Sequence, residues 1–222
     1  MDDEPVRVGQ AGARLLAYLA LAGCGVLRSR VAADLWQDSS PSRAAKNLRT
    51  TLWRIPESSR RLVNRRGQDL AIDPSLRIDV AELLATASRT ADEPVDVAAA
   101  RRLIRLTELL PGWSDAWVII ERERLRLVCL EALEAASAAC ARGDRPGQSL
   151  EFATAALHHE PLRETAWRLV VQAHRDQGNL AAAVTAYDTY RRLLDTELGI
   201  GPSRLMERLI EECGVRRGAT RR

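Results

Sequence analysis

The sequence predicts a mainly helical chain in two parts, and three observations predict it. Three apolar-periodic segments with short connections are followed, between residues 61 and 73, by a switch to a short-strand pattern. From Asp79 onward the periodicity is helical again and carries an internal repeat. Charge divides the same way: residues 11–78 hold twelve basic side chains against five acids, whereas residues 79–222 hold 20 against 22.

In the basic part, ARLLAYLALAG (13–23) is almost wholly apolar and stops at a glycine, which suits a buried helix. A turn containing Gly23 and Gly25 follows. Ser29 is then expected to cap SRVAADLWQD, with Val31, Ala32, Leu35 and Trp36 on one face. SSPS (39–42) breaks that helix; Pro41 or Ser42 starts the next, SRAAKNLRTTLWRI, and Pro56 stops it. RLVNRRGQDLAID (61–73) reads as a hairpin turning at Gly67. Helix, helix, helix, hairpin is the winged helix-turn-helix order.

Beyond Asp79, helices are expected at 79–89, 96–110, 114–141, 147–159, 163–177, 180–197 and 203–213, with TADEP (90–94) a loop. Gly143 and Gly178 lie 35 residues apart, as do Phe152 and Tyr187, so each turn is followed by an aromatic on the next helix. This spacing predicts stacked helix pairs close to the tetratricopeptide period, with Trp167, Gly178, Ala183 and Tyr187 near that repeat's characteristic positions. The boundaries are therefore 1–78 for the winged-helix domain, 79–213 for the helical-repeat domain, and 214–222 for a basic disordered tail.

The helix at 42–55 carries the strongest functional signal. Projected at about 100° per residue, Ala45, Leu48, Leu52 and Ile55 form one stripe. Arg43, Lys46, Asn47, Thr50 and Arg54 fall opposite, with Arg49 and Trp53 at the border. A solvated helix face ordinarily mixes signs, as ERERLR (121–126) does, but this one meets no acid before Glu57. Guanidinium, amide and hydroxyl groups are what pair with base edges and phosphates in a major groove. Ser42 at the helix start adds backbone N–H groups for a phosphate. Arg60, Arg61, Asn64, Arg65 and Arg66 cluster at or beside the hairpin tip, where a wing reaches backbone or minor groove.

Other residue types carry less. Trp36, Trp53, Trp113, Trp117 and Trp167 are assigned to core or inter-domain packing. Cys24, Cys129, Cys140 and Cys213 have no C-x-x-C spacing and are read as small buried residues. His158, His159 and His174 lack partners at ligand spacing, so no metal site is assigned. No phosphate loop, dinucleotide fingerprint, nucleophile elbow or zinc-protease motif occurs, so no catalytic residue and no cofactor are assigned. No apolar run is long enough for a membrane span, and the acidic MDDEPVRV is unlike a signal peptide, which points to a cytoplasmic protein.

RVAADLWQD, SRAAKNLRTTLWRI and RLVNRRGQDLAI together resemble the OmpR-like winged helix of SARP-type antibiotic-pathway regulators. PGWSDAWVIIERERLRLVCLEALE and HEPLRETAWRLVVQAHRDQGNLAAAVTAYDTYRRLLDTELGIGPS are similar to the bacterial transcriptional activator domain that follows it in those proteins. The resemblance implies a transcriptional activator that binds repeated sites in double-stranded promoter DNA, contacts RNA polymerase, and forms a homodimer through its helical domain. By position it makes Arg43, Lys46, Asn47, Thr50 and Arg54 groove-facing and Arg65 and Arg66 wing residues. That family usually opens with a small antiparallel sheet; VRV here is read as a remnant strand, either of a pared-down domain or of one whose start lies upstream. The ATPase and sensor regions of its larger members are read as missing. The competing expectation is a helical-repeat adaptor whose winged helix binds protein. A single continuous positive face favours DNA; dispersed charge favours the adaptor.

Overall fold

The computed structural model describes residues 8–89, 96–105 and 108–214. The expected VRV strand apart from Val8 and the loop at 90–94 fall on residues outside this set, as does the tail apart from Gly214. The chain divides into two compact units, one up to Glu82 and one from Leu83.

In the first unit α1 (Gln10–Ala22) ends on Gly23 in the left-handed region, where an L side chain would be strained. A two-residue strand β1 (Val26–Leu27) leads straight into α2 (Arg28–Leu35), and α3 (Pro41–Arg54) starts with its proline in the first turn. A 3-10 turn over Glu57–Leu62 follows, then β2 (Val63–Arg66) and β3 (Asp69–Ile72) around Gly67. All three strands form one antiparallel sheet in the order β1-β3-β2, with Val26 opposite Leu70 and Arg65 opposite Leu70 on its other side. Leu15, Leu19, Val31, Leu35, Leu48, Leu52, Ile55, Val63 and Leu70 are buried between helices and sheet. That burial, rather than helix propensity, holds such short helices in place.

Several expectations need correction here. Ser29 does not cap α2: the helix starts one residue earlier, and its first N–H is taken by the carbonyl of Gln68 on the hairpin turn at 2.9 Å. Tertiary pairing satisfies the orphan donor that a serine would otherwise satisfy. Ala45 is exposed and Ala44 is buried, together with Thr51. The buried stripe of α3 is thus turned toward Ala44, Leu48, Thr51, Leu52 and Ile55. Leu62 ends the 3-10 turn instead of opening a strand, and Cys24 is exposed whereas the other three cysteines are buried. Burial pushes the Cys129 thiol up to about 11.

The helix α4 (Asp79–Arg89) carries the division between the units. In the second unit come α5 (Val97–Ile104), α6 (Ala116–Arg142), α7 (Pro146–His159), α8 (Glu164–Asp176), α9 (Leu180–Leu198) and α10 (Arg204–Glu212). The pairs α6–α7 and α8–α9 are the two repeats, with Phe152 fully buried on α7 and Tyr190 on α9 stacked on Trp167 of α8 at 5.7 Å. Their turns differ by one residue in register. Gly178 is left-handed (φ +72°), but at the equivalent turn Gly143 is not, and Asp144 takes that conformation at φ 52°.

Two polar anchors hold the stack. Glu134 on α6 is 8% exposed and accepts hydrogen bonds from Nε and Nη2 of Arg163, each at 3.0 Å, so its buried charge is paired by a partner that reaches the surface. Glu164 accepts the Ser203 backbone N–H at 2.9 Å, the Ser203 hydroxyl, and the Tyr190 hydroxyl at 3.3 Å. Ser203 also caps α10 by accepting from the N–H groups of Leu205 and Met206. The closing helix is thereby tied to α8 and α9 before its own apolar face is counted.

Candidate nucleic-acid interface

The solvent face of α3 is built by subtraction. With Ala44, Leu48, Thr51, Leu52 and Ile55 turned inward, the opposite direction falls on Lys46, flanked along the helix by Arg43, Thr50 and Trp53. Ser42, Arg43, Lys46, Thr50 and Arg54 are exposed, and Asn47 is half-buried at the edge toward the core. Arg43, Lys46, Arg49 and Arg54 form no ion pair among the described residues. On α6, by contrast, Arg124 pairs with Glu121 at 2.7 Å and Arg126 with Glu123 at 2.8 Å. Both helices are arginine-rich, but only α3 leaves its cations uncompensated.

Beside α3 the wing residues separate into groups. Arg65 and Arg66 are exposed at the end of β2, next to the Gly67 turn, and Asn64 is half-buried in mid-strand. The Arg65 guanidinium donates to the carbonyl of Leu52 at 3.3 Å. That carbonyl belongs to the last turn of α3, where carbonyls lack helical partners and the helix dipole favours a cation. Arg65 thus pins the wing to the helix, whereas Arg66 is left to solvent. Arg60 and Arg61 are not at the hairpin tip. They lie on the 3-10 turn, with Arg60 paired to Glu57 and Arg61 close enough to Asp73 to help hold its carboxyl below the usual range, after the hydrogen bonds from Ser75. The intervening 3-10 turn, invisible as a sequence period, moved both away from the tip.

Trp53 is the residue whose place the sequence misjudged. Assigned to packing, its side chain is 74% exposed on α3. The same assignment holds for Trp117, buried beside Trp113 in an edge-on pair at 6.4 Å, and for Trp167, whose indole N–H donates to Pro161 O at 2.8 Å. An exposed indole at 53 was discoverable, since Trp53 lies seven residues after Lys46 and therefore on the same line of the helix.

The first unit is braced behind this face. Asp34 on α2 accepts from Tyr18 of α1 at 2.6 Å and from Arg30 at 2.7 Å, and Arg14 reaches the Leu35 carbonyl at 3.0 Å. Burial, then the bond to Asp34, raises the Tyr18 phenol to about 12. In the second unit an open groove lies between α8 and α10. Leu169, Leu205 and Leu209 line it together with Arg168, Arg208 and Glu212. Among the described residues no three His, Cys, Asp or Glu side chains converge as a metal site, and no helix is long and apolar enough to cross a membrane.

A winged helix joined to a stack of helix pairs defines a class, and the family comparison agrees with it. Residues 78–213 match the bacterial transcriptional activator domain, more than half of the chain. The chain belongs to that family. Among solved structures it is similar to Mycobacterium tuberculosis EmbR in complex with a low-affinity phosphopeptide, at 20% identity and a TM-score of 0.72. The match covers 96% of this chain and 61% of that one, so the chain spans about three-fifths of its structural neighbour. No curated protein matches it in sequence.

Proposed function

We propose that the chain is a sequence-specific DNA-binding regulator, an activator, whose winged-helix domain (1–78) reads promoter DNA and whose activator domain (79–213) makes protein contacts. The observation that carries the reading is the face of α3: exposed cations without acid partners, continued by Arg66 on the wing. In this reading α3 enters the major groove, where Arg43 and Asn47 contact base edges and Lys46, Thr50 and Arg54 contact bases or phosphates. Ser42 and the first N–H groups of α3 take a phosphate, Arg66 touches the backbone, and Arg65 keeps the wing in register. Arg61 acts at longer range through its charge, while Arg60, paired with Glu57, and the half-buried Asn64 stay outside the contact set. The protein works in the cytoplasm, at the nucleoid when bound. Repeated promoter sites are occupied by a homodimer formed through the helical domain, and RNA polymerase is the further partner. The groove between α8 and α10, lined by leucines and by charged side chains of both signs, supports a protein-contact role for this domain.

The test is duplex binding measured across salt concentrations. Duplexes selected from a random pool should bind with an affinity that falls steeply as salt rises, since each neutralised phosphate releases counterions. Arg43→Ala and Asn47→Ala should narrow the gap between selected and random duplexes by about 1–3 kcal/mol each. Arg66→Ala should weaken both alike and lower the salt slope by about one. Absence of binding, or binding indifferent to salt in a folded protein, would return the winged helix to the adaptor reading.

A further inference from the structure

The tryptophan on α3 is not explained by anything the fold requires. A single exposed apolar side chain is ordinary on a protein surface. Trp53 is unusual in its surroundings. Measured from the centre of the buried stripe, it lies within roughly 25° of the diametrically opposite direction, at 100° per residue. Lys46, Thr50 and Trp53 therefore form one line down the middle of the outer face, with Arg49 and Arg54 to either side. A docking helix that approaches a polyanion through those cations must bring the indole to the same surface.

We infer that Trp53 is an apolar base-reading residue, and that its ring packs on the C5-methyl group of thymine in the major groove. This rests on the DNA-binding reading of α3. The major groove offers one apolar feature among its donors and acceptors, the thymine methyl, and Trp53, at 74% exposure, presents the broadest apolar face on this helix to cover it. Indole donates one hydrogen bond and accepts none, so it can take nothing from the cytosine or adenine amino donors, whereas its ring face matches the thymine methyl. The contact is uncharged. It should add sequence preference without adding to the salt dependence that the neighbouring cations produce.

The experiment uses the full chain and a duplex selected from a random pool by the wild-type protein. Trp53→Ala and Trp53→Phe are compared with wild type on that duplex and on copies in which thymines are replaced singly by deoxyuridine, which deletes only the methyl group. Wild type is expected to lose about fourfold at one or two thymine positions, the factor for one methyl group returned to water. Trp53→Ala should bind the parent duplex roughly tenfold more weakly with an unchanged salt slope, and should be indifferent to deoxyuridine at those positions. Trp53→Phe should restore part of both effects. Because the side chain is exposed, circular dichroism and the unfolding midpoint should be the same in all three.

Outcomes against the inference are distinct. If Trp53→Ala binds like wild type, the indole faces something other than DNA. If it binds weakly but deoxyuridine costs the same in both proteins, the ring rests on sugar and backbone, and the methyl assignment is wrong. If wild type selects no duplex at all, the DNA-binding reading itself fails, before the mutant is examined.

Discussion

Adjacent arginines on β2 divide two tasks. Successive side chains of a strand leave it on opposite faces, so Arg65 is sent back to the Leu52 carbonyl and Arg66 outward. Two buried-edge phenols give the same scale a pH signature. Tyr18 and Tyr190 are both raised to about 12, each chiefly by burial and then by a carboxylate, Asp34 in one case and Glu164 in the other. A phenol with a folded pKa above its unfolded one holds its proton more tightly when folded. The stability it supplies is whole below pH 10 and is lost as pH rises from 10 through 12. Tyr18→Phe should remove part of that decline, which thermal unfolding across this interval would measure; an unchanged slope would show that the phenol titrates alike in both states.

Among elements, the long helices were legible because each buries a regular stripe. The predicted spans at 79–89, 147–159 and 180–197 lie within a residue of α4, α7 and α9 at either end. What the sequence hid were pieces made by partners. The strand β1 has two residues and exists because β3 offers an edge to pair with, and the 3-10 turn at Glu57–Leu62 has no apolar period of its own. The rotation of α3 was ambiguous for a simpler reason. Ala44 and Ala45 are identical residues on adjacent directions, and only the packing of α3 against its neighbours chooses between them. That same choice set Trp53 at the middle of the outer face instead of its border. At the repeat turns, equal spacing concealed unequal backbones. Gly178→Ala should cost about 1 kcal/mol, since φ is +72° there with open space around the missing Cβ. Gly143→Ala should cost less, because only Arg145 would have to give way, at 3.3 Å. Denaturant unfolding of the two variants compares them directly, and equal losses would contradict the register difference.

For the whole molecule, the relevant fact is that each unit has its own buried core. Leu15, Leu48 and Leu70 belong to one, Leu133, Phe152 and Met206 to the other. Calorimetry is expected to resolve two transitions. Phe152→Ala, which empties a fully buried site, should lower one of them by an amount worth about 3–5 kcal/mol and leave the other in place. A single transition that moves as a whole would mean the units melt together. The net charge of +7 over residues 11–78 likewise makes the first unit the part that salt should affect.

The separation of α3 into an inner and an outer set of side chains has a consequence for how such a protein changes over time. Ala44, Leu48, Thr51, Leu52 and Ile55 maintain the fold, and none of them faces outward. Arg43, Lys46, Thr50, Trp53 and Arg54 face outward and maintain nothing inside. On the DNA-binding reading proposed for α3, mutation can therefore rewrite the target sequence at nearly constant stability, and one scaffold can be transferred from operator to operator without having to be refolded.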